Sequence, residues 1–229
     1  YTYAAGSVPT PATVFGAGGT VQMARWWPGD SQYHIYPDAY GSFEPPDAVP
    51  PNPVVTAPPA GLGYFVRLSN QATLNLTGTP LTGTEPYPIR LSVGYRYPTG
   101  WNMIGCPFTS PVDWGSVQLV TNGVRQNLAE AVASGVTSGV LFAFASSGTS
   151  GSYTFPSDPY SATLEPFKGY WIHVWKDTTL LIYPPSVATA AAPAPRPLLA
   201  DPDAWRVQLT VTAGGAEASC NYIGQSPNA

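Results

Sequence analysis

An internal repeat is the feature that most constrains the fold of this chain. Gly63–Leu76 aligns without a gap with Gly169–Ile182 at an offset of 106 residues, and Gly, Tyr, Thr and Leu coincide at matching positions. Upstream, Tyr33–Tyr40 aligns with Tyr153–Tyr160 at an offset of 120 residues. Self-similarity of this kind indicates one supersecondary unit used twice. The 14 additional residues of the first unit fall in a proline-dense stretch at 45–59, which we interpret as a loop insertion.

β-Branched and aromatic residues predict strands in both units. Each unit is expected to run strand, turn, strand, loop and then a hairpin that begins with Gly-Tyr-aromatic. Tight turns are expected at Asn70–Gln71 and Lys176–Asp177. The predicted strands are Val21–Trp26, Tyr33–Tyr36, Tyr64–Leu68 and Thr73–Thr77 in the first unit, and Val140–Phe144, Tyr153–Phe155, Tyr170–Trp175 and Thr179–Tyr183 in the second.

The second unit has a front half that the first unit lacks. It opens with a strand that starts at Trp101 and is interrupted by Pro107, and a further strand is predicted near Val117–Thr121. In the first unit, the residue equivalent to Trp101 would fall before residue 1. The first unit is therefore expected to lack one strand and a helix.

One short helix is predicted over Leu128–Ser134. Asn127 is a favourable N-cap, Glu130 stands at the third helical position and Gly135 can end the helix. Helices are otherwise disfavoured, because 23 glycines and 27 prolines in 229 residues are too many for an all-α protein.

The C-terminal end differs in composition from both units. Residues 186–204 are rich in alanine and proline and predict a stiff, extended linker. Trp205–Thr212 then alternates apolar and polar residues, which predicts a half-buried strand. Few residues follow, so we expect an orphan strand without partners of its own. Its apolar face comprises Trp205, Val207, Leu209 and Val211.

The sequence thus predicts an all-β domain, a sandwich or barrel-like fold made from the two repeats, with one short helix. The orphan strand follows on its extended linker. The expected boundaries are an N-terminal arm at 1–13, the first repeat at 14–98, the second at 99–185, the linker at 186–204, and a segment at 205–229 that is either a donor strand or the start of a truncated domain.

Charge and hydropathy exclude two classes of partner. Charged residues make up 10% of the chain, its net charge is −4 and no basic patch is visible, which excludes the phosphate neutralisation that nucleic-acid binding requires. The longest apolar run, Val140–Ala145, is far shorter than a membrane span. Scarce lysine with plentiful Thr, Ser, Tyr and Trp is typical of secreted proteins, so we expect an extracellular location.

Three motifs of the second unit resemble a repeat of secreted and cell-surface bacterial proteins: Gly100–Phe108, Pro111–Trp114 and Pro166–Trp171. In that repeat a GWN-I-PF strand and a P-x-GYW hairpin recur along β-rich extracellular chains. The resemblance covers roughly residues 14–183, and Trp205–Thr212 is similar to the opening of a further β-domain in such proteins. It implies an extracellular, structural or adhesive protein without known catalytic residues. Cys106 departs from the pattern, where a polar residue is more usual.

Catalytic, metal and cofactor signals are weak. The two histidines, His34 and His173, do not correspond to each other in the repeat, and neither HExxH nor CxxC occurs. The repeat-matched Asp38 and Asp158 lie beside prolines and predict turns rather than a pair of catalytic carboxylates. We therefore expect a non-enzymatic protein with no catalytic residues, no metal and no cofactor.

Aromatic side chains are the one feature rich enough to bind a ligand. The candidates for a sugar-stacking platform are Trp26, Trp27, Trp171, Trp175, Tyr33, Tyr36 and Tyr40. Core or subunit-interface packing is the favoured interpretation, because aromatic residues dominate both.

Two modifications are also predicted. Cys106 and Cys220 permit one disulfide, which could join two molecules if Cys220 belongs to a donated strand. Asn75 lies in the one N-x-S/T sequon and is a candidate glycan acceptor, with an O-linked site at 187–197 as a second candidate.

These observations favour a subunit of a fibril or surface assembly, in which copies of the chain join by strand donation. An unpaired sheet edge is a template for another chain, and a head-to-tail exchange that does not close produces a filament. The alternative is a carbohydrate- or surface-binding module of a longer secreted protein. In a third interpretation, the chain is a truncated piece and the orphan strand is the start of a domain that is missing from it.

Overall fold

The computed structural model of the chain describes residues 14–15, 21–36, 61–68, 80–81, 84–147 and 150–185, together with the backbone of 205–213 and 216–225. The chain divides into two compact units, Tyr1–Ala192 and Pro193–Ala229, which we describe separately. The described residues form antiparallel sheets and one helix of six residues. The predicted all-β class is therefore confirmed.

The larger unit contains thirteen of the described strands and the helix. In chain order they are β1 (Val21–Trp27), β2 (Gln32–Tyr36), β3 (Phe65–Leu68), β4 (Tyr87–Leu91), β5 (Trp101–Gly105), β6 (Val112–Asp113), β7 (Gln118–Thr121), β8 (Val124–Asn127), α1 (Leu128–Ala133), β9 (Phe142–Ser147), β10 (Ser150–Thr154), β11 (Thr163–Leu164), β12 (Gly169–His173) and β13 (Thr178–Ile182).

Three sheets make up the body of this unit. The front sheet has the strand order β10-β9-β12-β5, and the back sheet has the order β4-β13-β7-β8. A smaller cover sheet, β2-β1-β3, contacts the outer face of the front sheet through aromatic side chains. The front and back sheets form a β-sandwich-like pair.

The hydrophobic core lies between the front and back sheets. Strand residues alternate between two faces, so β12 directs Tyr170 and Ile172 into the core and Trp171 to the opposite face. Burial of each large apolar side chain contributes roughly 1.5–3 kcal/mol. The buried cluster includes Ile104, Tyr170 and Ile172 from the front sheet, and Leu119, Leu180 and Ile182 from the back sheet.

The predicted hairpin of the second unit is wrong. β12 pairs with β5 and β9 in the front sheet, whereas β13 pairs with β4 and β7 in the back sheet. The turn at Lys176–Asp177 therefore carries the chain from one sheet to the other. Asp177 Oδ1 accepts the backbone N–H of Val93 at 2.8 Å, which ties this turn to the end of β4. The crossing lets the apolar faces of both strands meet in one core, which a hairpin within one sheet would not achieve.

The cover sheet repeats the strand order of the front sheet. Its order β2-β1-β3 matches β10-β9-β12, with each pair antiparallel. Tyr33 lies opposite Trp26 in the cover sheet, and Tyr153 lies opposite Phe144 in the front sheet. The 120-residue offset read from the sequence thus relates equivalent positions of the two sheets.

The predicted helix is confirmed. The side chain of Asn127 accepts the backbone N–H of Glu130, and Glu130 accepts the backbone N–H of Asn127, each at 2.9 Å. Gly135, with φ of +63°, donates its N–H to the carbonyl of Val132. This left-handed residue ends the helix as expected.

Two strands of the back sheet were not predicted from the sequence. β4 contains Pro88, which lies opposite Leu181, and proline is accommodated because β4 is an edge strand. β8 follows β7 after a turn at Asn122–Gly123, where both residues have positive φ. That dipeptide is a typical hairpin turn.

The smaller unit is a two-stranded antiparallel hairpin of β14 (Trp205–Ala213) and β15 (Ala216–Gln225). The prediction of an orphan strand is therefore wrong, because Val207 pairs with Ile223 and the pairing continues along both strands. The missed signal is Gly214-Gly215 followed by ten residues able to form a strand. The insertion at 45–59, the linker at 186–204 and the predicted strand at Thr73–Thr77 lie outside the described residues.

Candidate functional site

An aromatic groove lies where the cover sheet meets the front sheet. Its volume is about 450 Å³. All of its lining residues are aromatic: Trp26, Tyr33, Trp101, Phe142, Tyr153, Phe155 and Trp171. We call these seven residues the aromatic groove.

The strand period explains why these rings share one face. Tyr170 and Ile172 face the core, so Trp171 between them faces the cover sheet. Phe142 is the residue of β9 opposite Trp171, and Trp101 is the residue of β5 opposite His173. The outer face of the front sheet is therefore apolar, whereas an outer face in contact with solvent is typically polar.

Trp171 is the centre of the ring contacts. Its ring lies 5.5 Å from that of Trp26, 6.1 Å from that of Trp101 and 6.3 Å from that of Tyr33, with edge-to-face geometry throughout. Each such pair contributes about 0.5–1.5 kcal/mol beyond area burial. Trp26 also donates its Nε1–H to the carbonyl of Trp101 at 2.9 Å, which joins the cover sheet to the front sheet.

The two repeats face each other through equivalent residues. Trp171 contacts Trp26 at 5.5 Å, and Phe65, the counterpart of Trp171 in the first repeat, contacts Phe144 at 5.5 Å. Reciprocal contact between matching positions is the pattern of an approximately twofold interface. Much of the aromatic content is therefore packing between repeats, in line with the interpretation favoured from the sequence.

Two half-exposed tyrosines supply the hydroxyl groups of the groove lining. Tyr33 is 45% exposed and Tyr153 is 48% exposed. Burial, with a smaller contribution from Tyr153, raises the pKa of Tyr33 above its usual value. The Tyr33 hydroxyl is therefore protonated at neutral pH and can donate a hydrogen bond.

Trp171 carries a buried donor with no hydrogen-bond partner among the described residues. Its side chain is only 9% exposed and its Nε1 is fully covered. Leaving a buried donor unsatisfied costs about 1–3 kcal/mol.

The four tryptophans predicted as a platform separate into two groups. Trp26 and Trp171 meet in the groove. Trp27 instead stacks on His34 at 3.8 Å, and His34 Nε2 lies 2.9 Å from Asp30 Oδ2. Trp175 is 55% exposed and contacts His173 at 5.1 Å, outside the groove lining.

Four groove residues were missed by the sequence reasoning. Trp101, Phe142, Tyr153 and Phe155 line the groove beside the predicted Trp26, Tyr33 and Trp171. The alternation of side chains between the two faces of β5 and β9 could have identified two of these residues, because it puts Trp101 and Phe142 on one face of their strands. Which strands are neighbours in the sheet was not readable from the sequence.

The remaining predicted site residues are only partly described. Cys106 is a free, half-buried thiol whose Sγ lies 3.5 Å from the carbonyl of Ser110, and burial raises its pKa. The side chain of Cys220 lies outside the described residues, so the disulfide stays a prediction. Asn75 also lies outside them, and only the backbone is described for Trp205, Val207, Leu209 and Val211.

The outer edge of β3 is a second candidate site. In the front sheet β12 lies between β9 and β5. In the cover sheet β3 pairs with β1 on one side, and no strand of the described part of the chain pairs with its other side. By contrast, the outer edge of β5 is occupied, because Gly105 donates its N–H to the carbonyl of Gly61 at 2.8 Å.

Metal and membrane sites were sought among the described segments between residues 14 and 185. Within them, no three His, Cys, Asp or Glu side chains come together in a way that could hold a metal ion. No helix among them is both long and apolar enough to span a bilayer.

Comparisons with known proteins give no match, so the candidate site is interpreted from its geometry alone. No protein-family model, no curated protein and no solved structure matches this chain. The resemblance to the GWN-I-PF repeat therefore stays an expectation.

Proposed function

We propose that this chain is a non-enzymatic extracellular structural protein whose copies join by β-strand addition into a fibril or surface assembly. The observation that supports this most directly is the comparison of the two equivalent sheets. The strand β12 has two neighbours, whereas its counterpart β3 has one among the described strands. No described strand occupies, beside β3, the position that β5 occupies beside β12.

An open edge strand presents unpaired N–H and C=O groups to solvent. Another chain can satisfy these groups by adding a strand, and its main-chain hydrogen bonds then provide affinity. Because donor and acceptor surfaces differ, the contact is head-to-tail, and it builds a filament if it does not close into a ring.

The hairpin of β14 and β15 is the proposed donor. A two-stranded hairpin alone is marginally stable in water, so this unit gains most from a further strand neighbour. Its sequence alternates apolar and polar residues along Trp205–Thr212. Since β14 already pairs with β15, the added element is the hairpin rather than a lone strand.

The donor is tested in the full chain by Val207→Asp. This substitution places a charge among the alternating apolar residues of β14. We expect the filaments to be lost, as judged by electron microscopy. Gln208→Asp changes the next residue, on the polar side, and serves as the matched control that still polymerises. If both variants polymerise normally, or if removing residues 201–229 leaves filaments intact, strand addition by this hairpin is wrong.

The acceptor edge is tested by proline substitutions in β3. Successive N–H groups of a strand point to opposite sides, so one of Val66 and Arg67 directs its N–H to the open edge. Proline at that position should block assembly with little loss of stability, and proline at the other should destabilise the pairing with β1. Normal polymerisation of both variants would exclude this edge.

A carbohydrate-binding module is the second candidate function. The exposed rings of the aromatic groove support it, because sugar rings stack on aromatic faces. Titration of soluble oligosaccharides with tryptophan fluorescence as the readout tests it. No spectral change at millimolar sugar would exclude this use of the groove.

A further inference from the structure

The aromatic groove is not used by strand addition, and its chemistry restricts the ligand. Its seven lining residues include no charged and no amide side chain. A saccharide buries several hydroxyl groups, and each one left without a partner opposes binding. The hydroxyls of Tyr33 and Tyr153 are too few to satisfy a sugar ring. The groove is better suited to a ligand with apolar rings and few polar atoms.

A proline-rich segment has the properties that the groove requires. Proline lacks a backbone N–H, so such a segment is poor in donors and rich in carbonyl acceptors. The groove offers complementary donors in the hydroxyls of Tyr33 and Tyr153. A polyproline II segment is also extended before it binds, and docking in aromatic-lined grooves is a recurrent use of this conformation.

The chain itself contains a ligand of this composition. Residues 50–59 read Pro-Pro-Asn-Pro-Val-Val-Thr-Ala-Pro-Pro, with no charged residue, and they lie outside the described residues. The second proline-rich stretch, at 186–204, carries Arg196, Asp201 and Asp203. Because burying a charge in an uncharged groove is costly, the neutral segment is the better match.

We propose that the aromatic groove binds the proline-rich segment Pro50–Pro59 of a second copy of this chain. The choice of a second copy rests on the proposed assembly, where a second contact between neighbours adds to strand addition through avidity. Binding of the segment to the groove depends only on the chemistry of the lining. The two parts of the proposal are therefore tested separately.

Peptide binding is measured on the full-length Val207→Asp chain, in which residues 50–59 are replaced by a Gly/Ser segment of equal length. A synthetic peptide of residues 50–59 is titrated with tryptophan emission as the readout. We expect a saturable blue shift, because the peptide removes water from the indole rings. A peptide with its five prolines replaced by alanine is expected to bind about tenfold more weakly, since it loses the ring contacts and the preformed conformation.

The lining is tested with variants at exposed positions, so that the fold is retained. Tyr153→Ala should weaken peptide binding about tenfold, the usual effect of truncating an aromatic residue at the centre of a binding site. Tyr153→Phe keeps the ring and should lose less. Tyr95→Ala removes a tyrosine that is 71% exposed and lies outside the groove, and it should leave binding unchanged.

Each result has a definite meaning. Absence of a spectral change with millimolar peptide, or equal loss of binding with Tyr95→Ala and Tyr153→Ala, overturns the groove assignment. A shift produced by oligosaccharides and not by the peptide overturns it in favour of the carbohydrate-binding module. The peptide could bind while the chain with residues 50–59 replaced, and otherwise unchanged, still forms normal filaments. That result would overturn the proposal that the segment comes from a second copy in the assembly.

Discussion

The two repeats give the same strand order but different packing. Ile172 of the front sheet is fully buried, whereas its repeat counterpart, Val66 of the cover sheet, is 39% exposed. Both occupy the same position of the same motif. The back sheet covers one face of the front sheet, whereas no described sheet covers the face of the cover sheet that carries Val66. Of Val66 and its neighbour Met23 on β1, only Met23 is fully buried there. The comparison teaches that the motif determines strand pairing, while burial depends on what the neighbouring layers supply.

The largest expected difference between the repeats is the loss of stability when the side chains at these two equivalent positions are truncated. Ile172→Ala should lower the free energy of unfolding by about 2–5 kcal/mol, because it removes buried methylenes from a closed core. Val66→Ala should lower it by less than about 1 kcal/mol, because solvent already reaches that side chain. Urea unfolding curves measure both values. Equal losses would mean that the cover sheet has a closed core of its own.

A second test concerns the strand that only the second repeat has. Asn102 of β5 is buried and accepts the N–H of Ser92 at 3.0 Å, while its amide donates to the carbonyls of Ser92 and Gly100, each at 3.0 Å. Asn102→Ala should cost about 2–3 kcal/mol in urea unfolding, because these buried backbone groups lose a partner. A loss below about 0.5 kcal/mol would show that β5 is held by strand pairing alone.

The smallest expected effect is a pH dependence specific to the second repeat. Burial lowers the pKa of His173 below its usual value, partly opposed by its contact with the backbone of Thr99. The unfolded chain therefore binds a proton more readily than the folded chain, so this residue lowers stability as the pH falls below about 6.5. The repeat counterpart of His173 is Arg67, so the first repeat has no imidazole at this position.

The change in melting temperature between pH 7.5 and pH 5.5 measures this effect. The wild-type chain should lose more stability on acidification than the His173→Gln variant. An identical change in both proteins would contradict the contribution of His173.

Local patterns predicted the local parts of the structure. The capping residues of α1 and the equivalence of Tyr33 and Tyr153 follow from short stretches of sequence. The hairpin was mispredicted because Lys176–Asp177 is compatible with a turn between paired strands and also with a turn between sheets. Only the distant strands that compete for pairing decide between the two.

The candidate site was half predicted for the same reason. Trp26 and Trp171 were predicted because aromatic side chains can bind a ligand, but Trp101 and Phe142 enter the groove because β5 and β9 flank β12. Alternation within a strand tells which residues share a face. It does not tell which strand lies next to it, and a groove made from six strands depends on that order.

The turn between the sheets also determines how the chain can fold. Two strands adjacent in sequence would normally close a hairpin within microseconds and seed a sheet. Here β12 has to find β5, where His173 meets Trp101, and β13 has to find β4, where Leu180 meets Ile89. Each pairing closes a long loop before any contact compensates the lost chain entropy. We therefore expect a slow search for distant partners, in which β4 and β5 leave the ribosome first and expose unpaired edges until β12 and β13 have been synthesised.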